Sequence, residues 1–513
     1  MPMPWLTKSR FLSGLQCHKR LWFEVNEPLD EVTGPSTAIL QGRAFDEFVQ
    51  RYQPGVVVSR DKGMSAAIAE TTRILQSGTP PAVLHQPAFE INGLAVIADV
   101  LRFRVNNGFN LIEVKATTQV KDTHVPDAAF QFLVLQGAGI DIRRVFIAHV
   151  NNGFILRTQG DYAGLMVEED ITKQVVDYQP EAAAKAADFQ QTMKSAVAPT
   201  IAVGAHCNLP YECPFMGRCT LAAGKRPDYP VETLPRGGKT LASLLNDGYR
   251  DLLGVPSERL TNDNHRRVHE ATTSGIAYFD PAATTELRRL GYPRAYLDFE
   301  TISFSVPEII GTKPFEQLPF QWSVHVEFAD ADIRHFEYLA IESFGDFDAL
   351  ADALIAVFPA VGPIFAYNAG FEERVLRQLA TRAPAHAQAL ISLGDRLVDL
   401  LPITRRAYYH RDMQGSWSIK NVMPTIAANL GYSELGEVQE GGAAQIAFLE
   451  LRGKEVDPER ATTLRDALLA YCRHDTWVMI ILRRFLCGEP IAIEDCRSDT
   501  YTLSITHIVS DFP

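Results

Sequence analysis

The stretch Ile97-Ala-Asp-Val-Leu-Arg-Phe-Arg-Val-Asn-Asn-Gly-Phe-Asn-Leu-Ile-Glu-Val-Lys-Ala-Thr-Thr118 decides how the first half of the chain is read. Two apolar, β-branched runs flank Asn106-Asn107-Gly108, and Asn-Gly supplies the positive φ angles of a tight turn, so a β-hairpin is predicted. Charges interrupt this otherwise buried-looking ribbon. Asp99 falls in the first strand, and Glu113 and Lys115 lie two apart in the second. Alternate residues of a strand share a face, so Glu113 and Lys115 project together. Two acids and a lysine are costly to bury on one face without compensation. A divalent metal held by the acids, with the lysine beside it, supplies that compensation.

Working outward, 513 residues with 46% hydrophobic content are too many for one core and imply two or three domains. The charged fraction of 22% is that of an ordinary globular chain. No run approaches the roughly 18 apolar residues of a membrane span, and the first residues lack a signal-peptide core. A cytoplasmic protein with no membrane partner is therefore expected. The net charge of -13 weighs lightly against a nucleic-acid partner. Local basic groups weigh the other way: Lys8, Arg10, His18, Lys19 and Arg20 early, and Arg405, Arg406, His410 and Arg411 later.

Helices are predicted over 8–15, with Thr7 as N-cap, and over 42–50 and 64–77, the last by its 3.6-residue apolar rhythm. Strands follow around 83–91, then the hairpin, a helix over 126–139, a buried strand over 145–150 and an Ala-rich helix over 180–197. Residues 221–290 are richer in turn-forming residues and have only short apolar islands, which reads as a linker carrying a small helical element. From residue 295 a second α/β pattern runs nearly to the end. The expected organisation is thus an α/β domain over 1–220, a linker over 221–290 and a second α/β domain over 291–513.

Asp99 followed by Glu113-Val-Lys115 resembles the catalytic motif of the PD-(D/E)xK nuclease superfamily. The resemblance implies a restriction-endonuclease-like α/β core. Its two carboxylates would hold Mg²⁺ or Mn²⁺, hard cations that prefer oxygen ligands. The metal would activate water against a phosphodiester, and the lysine would orient that water or offset phosphate charge. Gln131 matches the glutamine motif of the RecB-like branch. Gly42-x-x-x-Asp46-Glu47 resembles that branch's early helix motif, with Asp46 where the branch usually has histidine. Cys17 before the core, with Cys207, Cys213 and Cys219 behind it, resembles the layout of the iron–sulfur nucleases of this branch, such as the AddB and CRISPR-adaptation nucleases. That implies a 4Fe-4S cluster clasping the domain's two ends. Structural zinc and buried free thiols are the alternatives for these residues. Cys472, Cys487 and Cys496 are read as ordinary core or surface residues.

In the second half, Tyr296-Leu-Asp298-Phe-Glu300 is a short apolar strand with two acids on one face. Three further pieces follow: Ile364-Phe-Ala-Tyr-Asn368 running into a helix with Glu372 and Glu373, Leu397-Val-Asp399, and Tyr471-Cys-Arg-His-Asp475 on a helix. In order, they resemble the DEDD exonucleases of the DnaQ-like group, tyrosine subclass, on an RNase H-like fold with a mixed sheet. The resemblance implies two metals about 4 Å apart held by Asp298, Glu300, Glu372 and Asp475, with Tyr471 positioning or deprotonating water. Position 372 is Glu where the group usually has Asp, which can loosen a second-metal site. Asp399 is read as structural. Ser416-Trp-Ser-Ile-Lys420 resembles the substrate-side segment, and Lys420 could meet a phosphate.

Taken together, the motifs resemble uncharacterised bacterial fusions of a RecB-like nuclease with an RNase H-like domain. A metal-dependent nuclease acting on DNA, at single strands or duplex ends, is expected in repair, recombination or defence. The alternatives are a nucleic-acid-binding scaffold with one or both sites inactive and an RNA-processing exonuclease. Protein partners are not legible.

Overall fold

The structure is a computed structural model that describes residues 4–29, 36–77, 80–104, 108–222, 227–453 and 455–491. It is a mixed α/β protein, and no helix among the described residues is long and apolar enough to cross a membrane. The chain divides into two compact units, Met1–Arg226 with Ser303–Glu316, and Pro227–Ile302 with Gln317–Pro513.

The first unit has a three-stranded and a six-stranded sheet. Its strands are β1 (Leu6–Thr7), β2 (Val56–Val57), β3 (Val83–His85), β4 (Ala88–Ile91), β5 (Leu94–Ile97), β6 (Val100–Arg104), β7 (Gly108–Lys115), β8 (Ile142–Val150) and β9 (Met166–Asp170). The small sheet has the order β1-β5-β4 and the large one β2-β3-β6-β7-β8-β9. The helices are α1 (Lys8–Gln16), α2 (His18–Asn26), α3 (Thr37–Tyr52), α4 (Met64–Leu75), α5 (His124–Gly137), α6 (Thr172–Lys194) and α7 (Met216–Ala222). The Thr7 side chain accepts from the Arg10 N–H and so starts α1, as its position predicts.

The hairpin forms. Strands β6 and β7 pair antiparallel from Val100↔Ile112 to Arg104↔Gly108, while the Asn106-Asn107 turn lies outside the described residues. Gly108 has φ +70°, and a Cβ there would come within 2.3 Å of the Asp141 carbonyl, so only glycine fits. Asp99 lies in the short gap between β5 and β6 rather than within a strand. Strand β7 is interior to its sheet, antiparallel to β6 and parallel to β8, which is why its apolar residues are buried on both faces. Helix α6 begins at Thr172, well before the predicted start. Val175, Ala182, Ala186, Phe189 and Met193 form one buried stripe that runs through Pro180.

The second unit has β10 (Tyr278–Phe279), β11 (Arg294–Ile302), β12 (Leu318–Glu327), β13 (Ile333–Leu339), β14 (Ile364–Ala366), β15 (Leu397–Asp399) and β16 (Tyr408–Tyr409). Its helices are α8 (Gly238–Asn246), α9 (Asp263–Ser274), α10 (Thr285–Arg289), α11 (Phe347–Ala356), α12 (Gly370–Arg382), α13 (Ala387–Gly394), α14 (Leu400–Ala407), α15 (Ile419–Ile426), α16 (Gly441–Leu451) and α17 (Pro458–Cys487). The main sheet is mixed, with order β13-β12-β11-β14-β15: β11 runs antiparallel to β12 and parallel to β14.

Every residue of β12 is buried, including the alternating polar set Gln321, Ser323, His325 and Glu327. Helix α17 supplies partners to each member of that set, although the Gln321 Oε1 stays without one. Gln321 donates to the Leu468 carbonyl at 2.8 Å, Thr476 bonds both Ser323 (2.8 Å) and His325 (2.7 Å), and Arg484 meets Glu327 at 2.7 Å. Burying these groups unpaired would cost several kcal/mol, so their partners fix where α17 sits on the sheet.

Two expected boundaries differ from those observed. Residues 227–290 are not a bare linker: they carry α8, α9, α10 and β10 and belong to the second unit. Their apolar islands Leu244, Leu252, Val255, Leu260 and Val268 are buried, and Tyr278↔Tyr409 pairs β10 with β16. Conversely, Ser303–Glu316, between β11 and β12, belongs to the first unit, where the Ser305 hydroxyl donates to the Gln41 carbonyl at 2.9 Å.

Candidate functional site

The first unit brings Asp99, Glu113, Lys115 and Gln131 together. Glu113 on β7 is fully buried, beneath groups supplied by α1 and α5. Lys115 Nζ lies 2.6 Å from Glu113 Oε1 and 2.6 Å from Asp127 Oδ2. Gln131, one turn after Asp127 on α5, donates through Nε2 to Glu113 Oε2 at 2.5 Å and to Asp127 Oδ1 at 3.2 Å. Its Oε1 is buried without a hydrogen-bond partner. Asp99 Oδ2 accepts the Val114 N–H at 2.8 Å, which ties the first acid to the second strand. Asp46 lines a cleft of about 330 Å³ with Lys8, Arg60 and Asp99, whereas Glu47 is exposed.

Two members of this cluster were not foreseen. Lys8, the first residue of α1, puts Nζ 2.8 Å from Glu113 Oε1, 3.8 Å from Asp127 Oδ1 and 4.0 Å from Asp99 Oδ1. Asp127 was legible in principle, because residues four apart on a helix share a face and Gln131 was already singled out. Lys8 carried no such signal.

Asp46, Asp99, Glu113 and Asp127 face Lys8, Lys115 and Arg60, so with all seven ionised the cluster holds an excess of one negative charge. That imbalance shows in proton affinities. Burial opposes ionisation of Glu113, but Lys115 and Lys8 hold its carboxyl well below the ordinary value. Asp99 is pushed well upward by burial and by Glu113, and Asp46 rises to about 6 for the same two reasons. Both of these raised acids line the same cleft, beside Lys8 and Arg60. An acidic excess of this kind suits a bound cation, although these carboxylates do not gather as tightly as those of the second unit.

The four expected cysteines share one neighbourhood. Cys207 and Cys213 are buried with Trp22, Phe23 and Phe215, and Cys219 packs against that cluster. Cys17 caps α2, and the adjacent Gln16 donates to the carbonyls of His206 (2.8 Å) and Tyr211 (2.7 Å), drawing the two chain segments together. Burial raises the Cys213 thiol, with Cys207 and Cys17 adding to the effect. All four are free thiols. No three of them offer sulfur atoms within 4.8 Å of one another. Cys496 lies outside the described residues.

In the second unit, Asp298, Glu300 and Asp475 each offer a carboxylate oxygen, all within 4.8 Å of one another. Asp298 and Glu300 share a face of β11 by alternation, and α17 brings Asp475 onto that face. Glu372, in the first turn of α12, stands outside this tight trio but acts electrostatically on all three. Its Oε2 is buried with no partner. Burial raises every acid of the set, and repulsion from neighbouring acids adds to it at Asp298, Glu300 and Glu372. Glu300 and Glu372 reach about 8 and Asp475 about 6, while Asp298 is raised chiefly by burial and then by Asp475 and Glu300.

Tyr471 is buried one turn before Asp475, its phenol pushed upward by burial and by Asp475 and Glu300. Lys420 Nζ lies 5.0 Å from the Tyr432 ring centre and 5.2 Å from that of Tyr471, and its charge favours ionised Glu300 and Asp475. Asp399 caps α14 by accepting the Leu401 N–H at 2.9 Å and also accepts the Asn368 N–H at 2.9 Å, a structural role. Sequence reading missed Tyr432, which donates to Asp475 Oδ1, and Cys472, whose thiol donates to Asp298 Oδ2 at 3.2 Å. Cys472 directly follows Tyr471 on α17, but nothing in its spacing marks it as a partner for an acid.

Residues 295–418 match a family described as "Domain of unknown function (DUF2779)", a span that includes Asp298, Glu300 and Glu372 but ends before Lys420 and Asp475. The chain is 28% identical over 219 residues to the "Uncharacterized protein MG366 homolog" of Mycoplasma pneumoniae, covering 39% of this chain and 33% of that protein. It is 26% identical over 280 residues to the "Uncharacterized protein MG366" of Mycoplasma genitalium, covering 48% of this chain and 42% of the relative. The matches thus span well under half of either relative.

Proposed function

We propose that the chain is a metal-dependent nuclease that hydrolyses phosphodiester bonds in DNA, with a PD-(D/E)xK-like site in the first unit and a DnaQ-like site in the second. The observation that carries this reading is the second acid cluster. Asp298, Glu300 and Asp475, with Glu372 beside them, come from three separate chain segments and crowd into a buried space. Like charges are not stable so close without a counterion or retained protons. Mg²⁺ or Mn²⁺ bound there would polarise the phosphate and lower the pKa of water. The side chains of the protein would do the rest. Tyr471 would orient the attacking water, and Lys420 would offset phosphate charge.

In the first unit, Asp99 and Glu113 would hold the cation, with Lys115 set against phosphate or water and Gln131 fixing Glu113. The thiols of Cys17, Cys207, Cys213 and Cys219 would ligate a 4Fe-4S cluster, a reading supported by the packing of the last three together and by the bonds that draw the Cys17 segment to them. A cytoplasmic place in repair, recombination or defence belongs to the same proposal.

A second reading, an inactive first site on a nucleic-acid-binding unit, is favoured by one detail. Lys8 and Lys115 both engage Glu113 Oε1, leaving that oxygen already paired. Cleavage of matched DNA and RNA oligonucleotides with Mg²⁺ or Mn²⁺ separates these outcomes. Asp298→Ala should abolish cleavage by the second site, and Lys115→Ala cleavage by the first. If neither variant changes any cleavage, the nuclease reading is wrong. Loss with Asp298→Ala alone would support an inactive first site.

A further inference from the structure

Beside the second acid cluster lies an open cleft of about 760 Å³, within the size range of ligand sites. Its lining contains no carboxylate, although the chain as a whole carries a net charge of -13. It contains instead two exposed arginines, Arg236 and Arg405, neither of which has an acidic partner among the described residues. The amide side chains of Asn262, Asn264 and Asn368 and the hydroxyl of Ser418 complete a wall of hydrogen-bonding groups.

The cleft is built, not incidental. One side comes from the 227–290 segment, which is held tightly against the other: a Cβ at Gly415 would fall 1.8 Å from the Thr233 carbonyl. Asn262 Oδ1 is occupied as the cap of α9, accepting from the Asn264 N–H at 2.8 Å, so its NH₂ is the group left to donate. The backbone carbonyl of Arg405 accepts from Arg267 at 2.5 Å, and Tyr367 donates to the Trp417 carbonyl at 2.5 Å, which fixes the opposite side. Both segments on that side run on to the acid site, where Lys420 faces Glu300 and Asp475. Glu372 follows Asn368 by four residues, and Lys420 follows Ile419 directly.

Unpaired guanidinium groups with surrounding amide and hydroxyl donors recognise phosphate, which they can engage through two parallel hydrogen bonds. We propose that this cleft holds the phosphodiester backbone of a single nucleic-acid strand, with Arg236 and Arg405 on its phosphates, and delivers the strand's end to Asp298, Glu300 and Asp475. The inference rests on the nuclease reading of the second unit and adds to it the substrate-binding role of the 227–290 segment.

The test is binding of a 5′-fluorescein hexathymidylate to the full chain, by anisotropy in EDTA across a range of KCl. Arg236→Glu and Arg405→Glu should each weaken binding about tenfold and lower the slope of log affinity against log salt by about 0.7 per lost phosphate contact. Arg288→Glu, at an exposed arginine outside the cleft, should change neither. Should a reversal lower the urea midpoint, Arg236→Gln and Arg405→Gln repeat the comparison. Wild-type affinity and slope in both cleft variants would overturn the proposal, as would failure of the wild-type chain to bind. Asp298→Ala distinguishes the two ideas. If it cleaves normally while the cleft variants lose binding, the acids are not the active site, and the cleft stands as a strand-binding site while its delivery to those acids falls. If it loses cleavage while the cleft variants bind normally, the cleft assignment falls alone.

Discussion

Replacing Asp298 with asparagine should stabilise the metal-free protein, and by an amount that depends on pH. The side chain keeps its shape and loses its charge. In the wild type, two ionised carboxylates 4.8 Å apart, the spacing limit of the Asp298–Glu300–Asp475 trio, repel by about 3–4 kcal/mol at an effective dielectric constant near 20. The cluster escapes part of that cost by retaining protons, which is why Glu300 and Glu372 titrate near 8. The sign follows from proton uptake. A carboxyl whose folded pKa is raised binds protons more tightly in the fold than in the unfolded chain. The contribution of Glu300 and Glu372 to metal-free stability is then greatest below about 4.5 and falls as pH rises towards 8, by up to about 1.4 kcal/mol per pH unit for each group. Asp298→Asn removes one repelling member, so a gain of roughly 1–2 kcal/mol is expected at pH 8 and little at pH 5. With Mn²⁺ the order reverses: a cation at a hundred times its dissociation constant adds about 2.7 kcal/mol to the wild type and much less to the variant. Urea titration followed by the fluorescence of Trp322, Trp417 and Trp477, all in the second unit, reads these differences in EDTA and in Mn²⁺. An Asp298→Asn chain less stable than wild type at pH 8 in EDTA, or equally stabilised by Mn²⁺, would refute the reasoning.

In the first unit, Lys8→Ala removes one of three cations facing four acids. A loss of roughly 2 kcal/mol at pH 8 is expected, below the usual 3–5 for a broken buried pair because the Lys8 side chain is 26% exposed. The loss should shrink at pH 5, where Asp46 and Asp99 take up protons, and equal urea midpoint shifts at the two pH values would contradict it. Gly415→Ala should lower the stability of the second unit by about 2 kcal/mol or more, since φ is +78° and the new methyl would meet the Thr233 carbonyl. A wild-type melting temperature would show that the 227–290 segment is not seated as described. Anaerobic purification with metal analysis should find iron and acid-labile sulfide in a coloured protein, both lost in Cys213→Ala. A colourless protein containing stoichiometric zinc would rule out the cluster.

Much of the local structure was legible because periodicity is a local property. Alternation placed Glu113 with Lys115 and Asp298 with Glu300, and helical spacing placed Tyr471 with Asp475. What lay outside was whatever depends on a distant partner. Lys8 looks like any basic residue in the first turn of a helix, and only the fold reveals that its ammonium ends beside Glu113, 105 residues away. Residues 227–290 looked like a linker because their apolar islands are too short to imply a core of their own. They are buried all the same, within a unit whose sheet is supplied by later residues. The Ser303–Glu316 excursion is the converse case, a stretch between two strands of one sheet that belongs to another core.

The second acid cluster shows where the specifying information resides. The acids themselves do not set their own spacing, since each repels the others. Helix α17 has to be held in one rotation for Asp475 to face Asp298 and Glu300, because a shift of one residue turns a helix by about 100°. That rotation is fixed by the alternating row Gln321, Ser323, His325 and Glu327 on β12, each buried and each bonded from α17. Thr476, which follows Asp475 directly, bonds two members of the row. Read alone, Leu318–Glu327 is an apolar strand with an unexplained polar stripe. Read with α17, the stripe is what offsets the repulsion among the acids, so the geometry of the candidate site is written in residues that never touch it.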